Sequence, residues 1–282
     1  MRVFTELFSL LATQEAVLVT VRAHRGSVPR EAGAWMAVFA DRLLGTVGGG
    51  HLEWQAVQQA RADLAAGVVG CAQRRYPLGP ALGQCCGGEV ELGFERIGAQ
   101  DVSALQQRFD RQRAAWPPVA LFGGGHVGWA LVRLLAELPL RLTWIDSRDG
   151  IFPPEVPTQV VCEFSQPVQA AVAALAPGSH VLVMSFSHAE DFEVVQACLA
   201  RQRQRADLPF IGLLGSRTKW ATFAHRLQDR GFSPAELAQV TCPVGAPGIG
   251  GKQPEVIAVA VAAQLLQVMD RALACDGVNK DG

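Results

Sequence analysis

The sequence lacks several features that would identify a function at once. Its 25 basic and 26 acidic residues give a net charge of −1, so neither nucleic acid nor an anionic membrane is favoured as a partner. Its seven cysteines include no C-x-x-C pair, which argues against a zinc ribbon or a thioredoxin-like site. The length of 282 residues and the ordinary composition instead predict one large or two average globular domains.

Long apolar runs are also missing. The longest late run, 256–269, is too short to span a bilayer and contains Gln264 and Gln267. Near the start, Arg2 and Glu6 interrupt the only apolar stretch, which argues against a secretory signal. We therefore expect a soluble, cytoplasmic protein.

The most informative stretch that is present runs from 119 to 146. Gly123, Gly125 and Gly128 have the spacing G-x-G-x-x-G, and they follow a predicted strand and open a predicted helix. The free N–H groups at such a helix start attract a phosphate. Asp146 ends the next predicted strand, where a carboxylate would meet a ribose hydroxyl. The pattern predicts a Rossmann-like fold.

The rest of the second half alternates strands and helices, which predicts a doubly wound parallel sheet with helices on both faces. We assign the Rossmann-like domain to residues 118–275 and a C-terminal tail to 276–282. A small α/β domain is predicted for 1–98, and the polar segment 99–117 is predicted to be a linker helix. The fold class is therefore α/β in two domains.

Further glycines and basic residues occupy predicted strand ends and helix starts. Together with several helix N-termini, a phosphate site could be formed by Arg217, Lys219 and Lys252. His188 lies at another strand end, where it could equally cap a helix or face solvent. Arg217 and Lys219 could also be a solvated first turn. In the first half, three glycines either hold a second phosphate or simply join a strand to a helix: Gly48, Gly49 and Gly50.

Cys85 and Cys86 form the sharpest chemical feature, because they lie in a turn with Gly87 and Gly88 where no core requires them. Backbone N–H groups near a thiol favour the thiolate, which is a soft ligand for a transition metal. Two adjacent side chains are poorly placed to hold one tetrahedral zinc ion. A single thiolate bound to a metal that already has other ligands fits better, and two unreactive loop cysteines are the alternative.

The motifs together resemble the XdhC/CoxI family over nearly the whole chain. The first half contains three segments that resemble the family's motifs and occur in the same order: Gly-Ser-Val-Pro-Arg at 26–30, Gly-Thr-Val-Gly-Gly-Gly-His-Leu-Glu at 45–53 and Gln-Cys-Cys-Gly-Gly at 84–88. The second half contains four more such segments, again in the family's order: Leu-Phe-Gly-Gly-Gly-His-Val-Gly at 121–128, Trp-Ile-Asp at 144–146, His-Ala-Glu-Asp at 188–191 and Ile-Gly-Leu-Leu-Gly-Ser-Arg at 211–217. The run Ser-Phe-Ser-His at 185–188 departs from the usual Thr-His-Ser-His.

The resemblance implies an accessory protein rather than an enzyme. Such a protein binds the molybdenum cofactor in its molybdopterin form, protects it, supports its sulfuration and delivers it to apo-xanthine dehydrogenase. Its implied partners are the molybdenum subunit of that enzyme, a cysteine desulfurase and a second copy of the same chain. Molybdenum would be ligated by Cys85 or Cys86, between which the sequence does not decide. The cofactor-binding residues that we predict are Cys85, Cys86, Gly87, Gly88, Gly48, Gly49, Gly50, Gly123, Gly125, Gly128, Asp146, His188 and Arg217.

Two other functions stay open. The first is an NAD(P)-dependent oxidoreductase, with Asp146 on the ribose and His188 as the acid–base group, although no clear catalytic set surrounds this histidine in the sequence. The second is a regulatory module that senses a nucleotide. A nucleotide at the Rossmann glycines is also compatible with a cofactor carrier.

Overall fold

The computed structural model describes residues 2–68, 70–78 and 88–278. The chain divides into two compact units, Met1–Asp110 and Arg111–Gly282. Each unit has its own sheet and its own hydrophobic core.

The first unit is an antiparallel sheet with helices against it. Its elements are α1 (Arg2–Leu11), β1 (Ala16–Arg25), β2 (Trp35–Val38), β3 (Leu43–Gly45), α2 (Gly50–Ala65), β4 (Cys71–Leu78), β5 (Gly88–Ile97) and α3 (Val102–Ala114). The strand order is β3-β2-β1-β5-β4, and every neighbouring pair is antiparallel. This arrangement confirms a small α/β unit at the N-terminal end of the chain.

Strand β1 explains why this sheet is covered on both faces. Successive side chains of a strand point to opposite faces. Val17 and Val19 pack in the cluster that contains Leu52 and Ala56 of α2. Leu18, between them, packs in a second cluster with residues of α1 and α3. The run of apolar residues in β1 therefore fills two cores, which is why it does not alternate with polar residues.

Helix α3 lies in the segment that we predicted to be a linker helix, 99–117, and the division between the units falls within it. Its sequence is mostly polar, but Leu105 and Phe109 are each only 3 % exposed. The ring of Phe109 lies 4.6 Å from that of Phe4 and 5.2 Å from that of Trp35, centroid to centroid. The helix is therefore part of the core of the first unit, not a solvated connection.

We expect Phe109→Ala to lower the free energy of unfolding of the first unit by about 3–5 kcal/mol, because truncating a buried aromatic ring loses its burial and leaves a cavity. Chemical denaturation monitored by tryptophan fluorescence would measure the change. Gln107→Ala, on the exposed face of the same helix, is the matched control and should change stability little. Equal stability of the two variants would contradict the packing role of α3.

The second unit is built on a six-stranded parallel sheet. Its elements are β6 (Pro118–Phe122), α4 (His126–Leu135), β7 (Arg141–Asp146), β8 (Val161–Phe164), β9 (His180–Val183), α5 (His188–Arg205), β10 (Phe210–Leu213), α6 (Arg217–Asp229), α7 (Pro234–Leu237), β11 (Val240–Thr241) and α8 (Pro254–Val278). The strand order is β11-β10-β9-β6-β7-β8, so the direction of winding reverses between β6 and β9. This order is that of a Rossmann fold, and it confirms the prediction.

Alternate residues of β6 fill the cores on the two faces of this sheet. Ala120 and Phe122 pack in the cluster of α5 and α6, whereas Val119 and Leu121 pack in the cluster of α4 and α8. Helices therefore cover both faces, as in a doubly wound sheet. Between β8 and β9 the chain forms a 3-10 helix, Val168–Ala174. No helix in the described ranges has the length and apolar character needed to cross a membrane.

Candidate functional site

The segment 84–88, which contains the two adjacent cysteines, is called the cysteine turn below. Its last residue, Gly88, lies against the first family motif, 26–30. Gly88, the first residue of β5, pairs with Leu78 of β4, so these two residues close the hairpin that carries the turn. A Cβ atom on Gly88 would lie 2.4 Å from the carbonyl oxygen of Ser27 and 2.7 Å from that of Arg25. Only glycine allows this approach of two backbones. Cys85, Cys86 and Gly87 lie outside the described residues, so their roles stay predictions.

The second family motif lies against the first as well. Gly48 has a φ of +126°. A Cβ atom on it would lie 2.6 Å from two carbon atoms of the Pro29 ring. The loop at 26–30 therefore contacts both the glycine turn at 48–50 and the end of the cysteine turn. Three motifs that are far apart in the sequence are neighbours in the first unit.

The N–H groups of Val47, Gly48 and Gly49 in this glycine turn have partners within the chain. The Glu53 side chain accepts hydrogen bonds from the N–H groups of Val47 at 3.1 Å and Gly49 at 3.2 Å, and also from the Thr46 hydroxyl. The Gly48 N–H donates to the Thr46 oxygen at 3.1 Å. The Glu53 carboxylate thus binds part of the turn for which we predicted a phosphate, and an anion at Val47 and Gly49 would compete with it.

A groove of about 650 Å³ lies between α2 and β4. Its lining combines one exposed indole, several side-chain amides and two guanidinium groups: Trp54, Gln55, Gln58, Gln59, Arg74 and Arg75, with Tyr76 and Ala62. Trp54 is 57 % exposed, and its ring stacks on His51 at 5.4 Å between centroids. Exposed aromatic rings beside cations suit a planar ligand that carries negative charge.

In the second unit, the three Rossmann glycines have the three roles that the motif predicts. A Cβ atom on Gly123 would lie 1.9 Å from the Met184 carbonyl oxygen, so this position needs glycine for the turn. One on Gly128 would lie 2.1 Å from the Gly123 carbonyl oxygen, so helix and strand pack closely there. Gly125, directly before α4, faces open space, with no atom within 4 Å of a Cβ atom. A ligand can therefore approach the backbone at Gly125.

Asp146 is placed at the end of β7 as predicted, but its carboxylate is fully engaged. One oxygen accepts from the Gly124 N–H at 2.5 Å and from Arg148 Nη2 at 2.9 Å, and the other accepts from the N–H and Nε of Arg148, each at 2.9 Å. Burial raises the pKa of Asp146, but the hydrogen bonds from Arg148 and Gly124 outweigh burial and hold the pKa below its ordinary value. This carboxylate is not free to accept a ribose hydroxyl.

We expect Asp146→Asn to lower the free energy of unfolding by about 2 kcal/mol near neutral pH, because charged hydrogen bonds are lost and Arg148 loses its counter-charge. Since the pKa of Asp146 is lowered on folding, its stabilisation is complete above the ordinary pKa near 4 and is lost as the pH falls through the folded value. The difference between wild type and variant should therefore shrink in acid, as measured by urea denaturation at several pH values. A difference that stays constant in acid would contradict this role.

Two further strand ends meet at a polar cavity of about 390 Å³. Asp191 of α5 accepts from the Ser185 N–H at 2.6 Å and from Lys219 Nζ of α6 at 2.5 Å. Lys219 also donates to the Leu214 carbonyl oxygen at 2.9 Å. The ion pair is well shielded, since the lysine side chain is 11 % and the aspartate side chain 4 % exposed. It ties the ends of β9 and β10 together.

Two residues that we predicted to bind a cofactor, His188 and Arg217, contribute less to this cavity than Lys219 does. Both are exposed first residues of helices, and the caps of those helices are Ser187 and Ser216. His188 lies at the edge of the cavity, whereas Arg217 is not among the residues that line it. Sequence reasoning missed Ser185 as a site residue. Its only signal was its place directly after a buried strand.

The described residues contain no group of three or more His, Cys, Asp or Glu side chains that could hold a metal ion. Cys198 is fully buried, and burial raises its pKa to about 12, so it is a core thiol. Cys242 is partly buried near Ser216, with a raised pKa caused by burial. Neither thiol favours the thiolate that a metal requires. The metal ligands that we predict, Cys85 and Cys86, lie outside these residues.

Comparison with known proteins identifies the family. Residues 9–77 match the XdhC and CoxI family, and residues 119–265, about half of the chain, match the XdhC Rossmann domain. The chain belongs to the XdhC/CoxI family. Membership supports an accessory role for it.

Two proteins show how far the similarity extends. YqeB of Escherichia coli, an uncharacterized protein, is 27 % identical over 285 residues; the match covers 96 % of this chain and 47 % of YqeB, so the chain spans about half of that relative. The crystal structure of a xanthine dehydrogenase from Bacillus halodurans has a TM-score of 0.74 at 20 % identity, covering 95 % of this chain and 96 % of that one. At this identity the structural similarity concerns the fold.

Proposed function

We propose that this chain is an accessory protein that binds the molybdenum cofactor through its first unit, supports the sulfuration of the cofactor and delivers it to apo-xanthine dehydrogenase. The observation that carries the proposal is the meeting of three family motifs, in which Gly88 and Gly48 both pack against the loop at 26–30. Their contacts anchor the end of the cysteine turn beside two other family segments. Membership of the family supports the same role.

The groove between α2 and β4 fits the organic part of such a cofactor. A pterin is planar, has hydrogen-bonding edges and carries a phosphate on its side chain. Trp54 offers a stacking surface, and the glutamine amides can both donate and accept. Arg74 supplies positive charge, whereas Arg75 is paired with Glu91 at 3.3 Å. The groove adjoins the hairpin that carries the cysteine turn, since Tyr76 is two residues from Leu78. In the bound state the molybdenum would supply the site for sulfur, and a turn thiolate would hold the metal.

The oxidoreductase alternative has less support. A Rossmann strand order and an open Gly125 suit a nucleotide, but the Asp146 carboxylate is engaged by Arg148 and Gly124. His188 is an exposed first residue of α5, and no hydrogen bond within the described part of the chain orients its ring as an acid–base group.

Replacing both Cys85 and Cys86 by alanine should abolish retention of the cofactor without unfolding the protein. The full chain would be loaded with molybdenum cofactor, freed of unbound ligand, and mixed with apo-xanthine dehydrogenase. We expect stoichiometric retention and restored dehydrogenase activity with wild type only. Normal retention by the double variant would refute the thiolate ligand, and no retention by wild type, with tight NAD(H) binding instead, would favour the oxidoreductase.

Trp54→Ala should weaken cofactor retention about tenfold or more, because a stacking surface is lost, and should leave thermal stability unchanged, because the ring is exposed. Retention after gel filtration measures the first effect and thermal unfolding the second. Phe164→Ala removes a similarly exposed ring of β8 in the second unit and should have no effect on retention. If Trp54→Ala instead changed only the oligomeric state, the ring would belong to a subunit interface and not to the ligand site.

A further inference from the structure

The cavity at the ends of β9 and β10 has more hydrogen-bond donors than acceptors. Lys219 has three N–H groups, of which one reaches Asp191 and one the Leu214 carbonyl oxygen. The hydroxyl oxygens of Ser187 and Ser216 accept from the N–H groups that they cap, and neither hydroxyl donates to a described residue. All these side chains line the cavity. Several donors therefore have no partner there.

Ser185 adds an independent indication of a ligand. Its Oγ has less than 1 Å² of accessible surface and no hydrogen-bond partner among the described residues. Burying an unpaired hydroxyl costs free energy, so folded proteins rarely keep one without a reason. Its backbone N–H, not its side chain, binds Asp191, so the hydroxyl has no part in the ion pair. Ser185 is also one of the residues that line the cavity.

The carboxylate in the cavity is already engaged. Both oxygens of Asp191 accept hydrogen bonds, from Ser185 and from Lys219. A ligand that brings acceptor oxygens therefore complements the unpartnered donors of the cavity. The starts of α5 and α6 also meet there, and helix N-termini favour negative charge. A tetrahedral group with several acceptor oxygens meets these conditions better than a planar carboxylate with two.

We propose that this cavity binds the phosphate group of a small phosphorylated ligand, with Ser185 Oγ and Lys219 Nζ as donors. The volume of about 390 Å³ leaves room for an organic part beside the phosphate. The cavity begins next to the Rossmann glycine turn, because Gly123 packs against the Met184 carbonyl oxygen. Residues of the second unit alone line the cavity, and its test uses neither Cys85 nor Cys86.

Ser185→Ala tests the proposal without disturbing the ion pair. Removing an unpaired buried hydroxyl should leave the free protein as stable as wild type or more so, whereas affinity for the phosphate group should fall about tenfold or more. Ser179→Ala is the matched control: this serine is also buried, but its Oγ donates to the Ala176 carbonyl oxygen at 2.5 Å. The control should lose stability and keep its affinity. Calorimetric titration and thermal unfolding of the full chain provide both readouts.

The probes are inorganic phosphate, ribose 5-phosphate and ADP-ribose. Binding of ribose 5-phosphate that weakens in Ser185→Ala supports a sugar phosphate held within the cavity. Binding of ADP-ribose alone, weakened both in Ser185→Ala and in Gly125→Val, supports a nucleotide that extends to the glycine turn. Failure of all three probes to bind at millimolar concentration overturns the proposal, and so does equal affinity of wild type and Ser185→Ala.

Discussion

One buried carboxylate organises the ligand end of the second unit. Asp146 is 2 % exposed, and an ionised group at such depth must be paired, because desolvation alone would cost several kcal/mol. It accepts hydrogen bonds from the N–H of Gly124 in the glycine turn and from Nε and Nη2 of the Arg148 guanidinium. The Arg148 guanidinium in turn lies 4.6 Å from the ring centre of Phe186, just after β9. The glycine turn and the ends of β7 and β9 are thus connected through a single charge.

Acidic side chains also accept hydrogen bonds from backbone N–H groups at two other turns of the chain. Glu53 accepts the N–H groups of the glycine turn before α2, and Asp191 accepts the N–H of Ser185 after β9. In each case an acid of the chain binds backbone donors that a ligand anion would otherwise seek. A glycine turn followed by an acid is therefore ambiguous in a sequence. The acid either recognises a ligand or completes the turn itself, and only the position of its side chain distinguishes the two.

This ambiguity explains which parts of the structure were predictable. The parallel sheet and the roles of Gly123, Gly125 and Gly128 follow from periodicity and spacing, which are local properties. The engagement of Asp146 by Arg148 was not predicted, because an acid at a strand end has the same pattern in either role. Lys219 reaches Asp191 across 28 positions of sequence, and only the packing of the first turns of α5 and α6 brings them together. The burial of Leu105 and Phe109 in α3 was not predicted, because the sequence of this helix is mostly polar.

The backbone contact at Gly88 also limits how far the two adjacent cysteines can lie from a fixed point of the first unit. Gly88 is held by Leu78 on one side and by the carbonyl groups of the 25–27 segment on the other. Cys85 is three residues before it, so its Cα lies no further than about 11 Å from this fixed point whatever path the turn takes. On the proposed function, a recipient enzyme would have to reach this end of the β4–β5 pair to take up the cofactor.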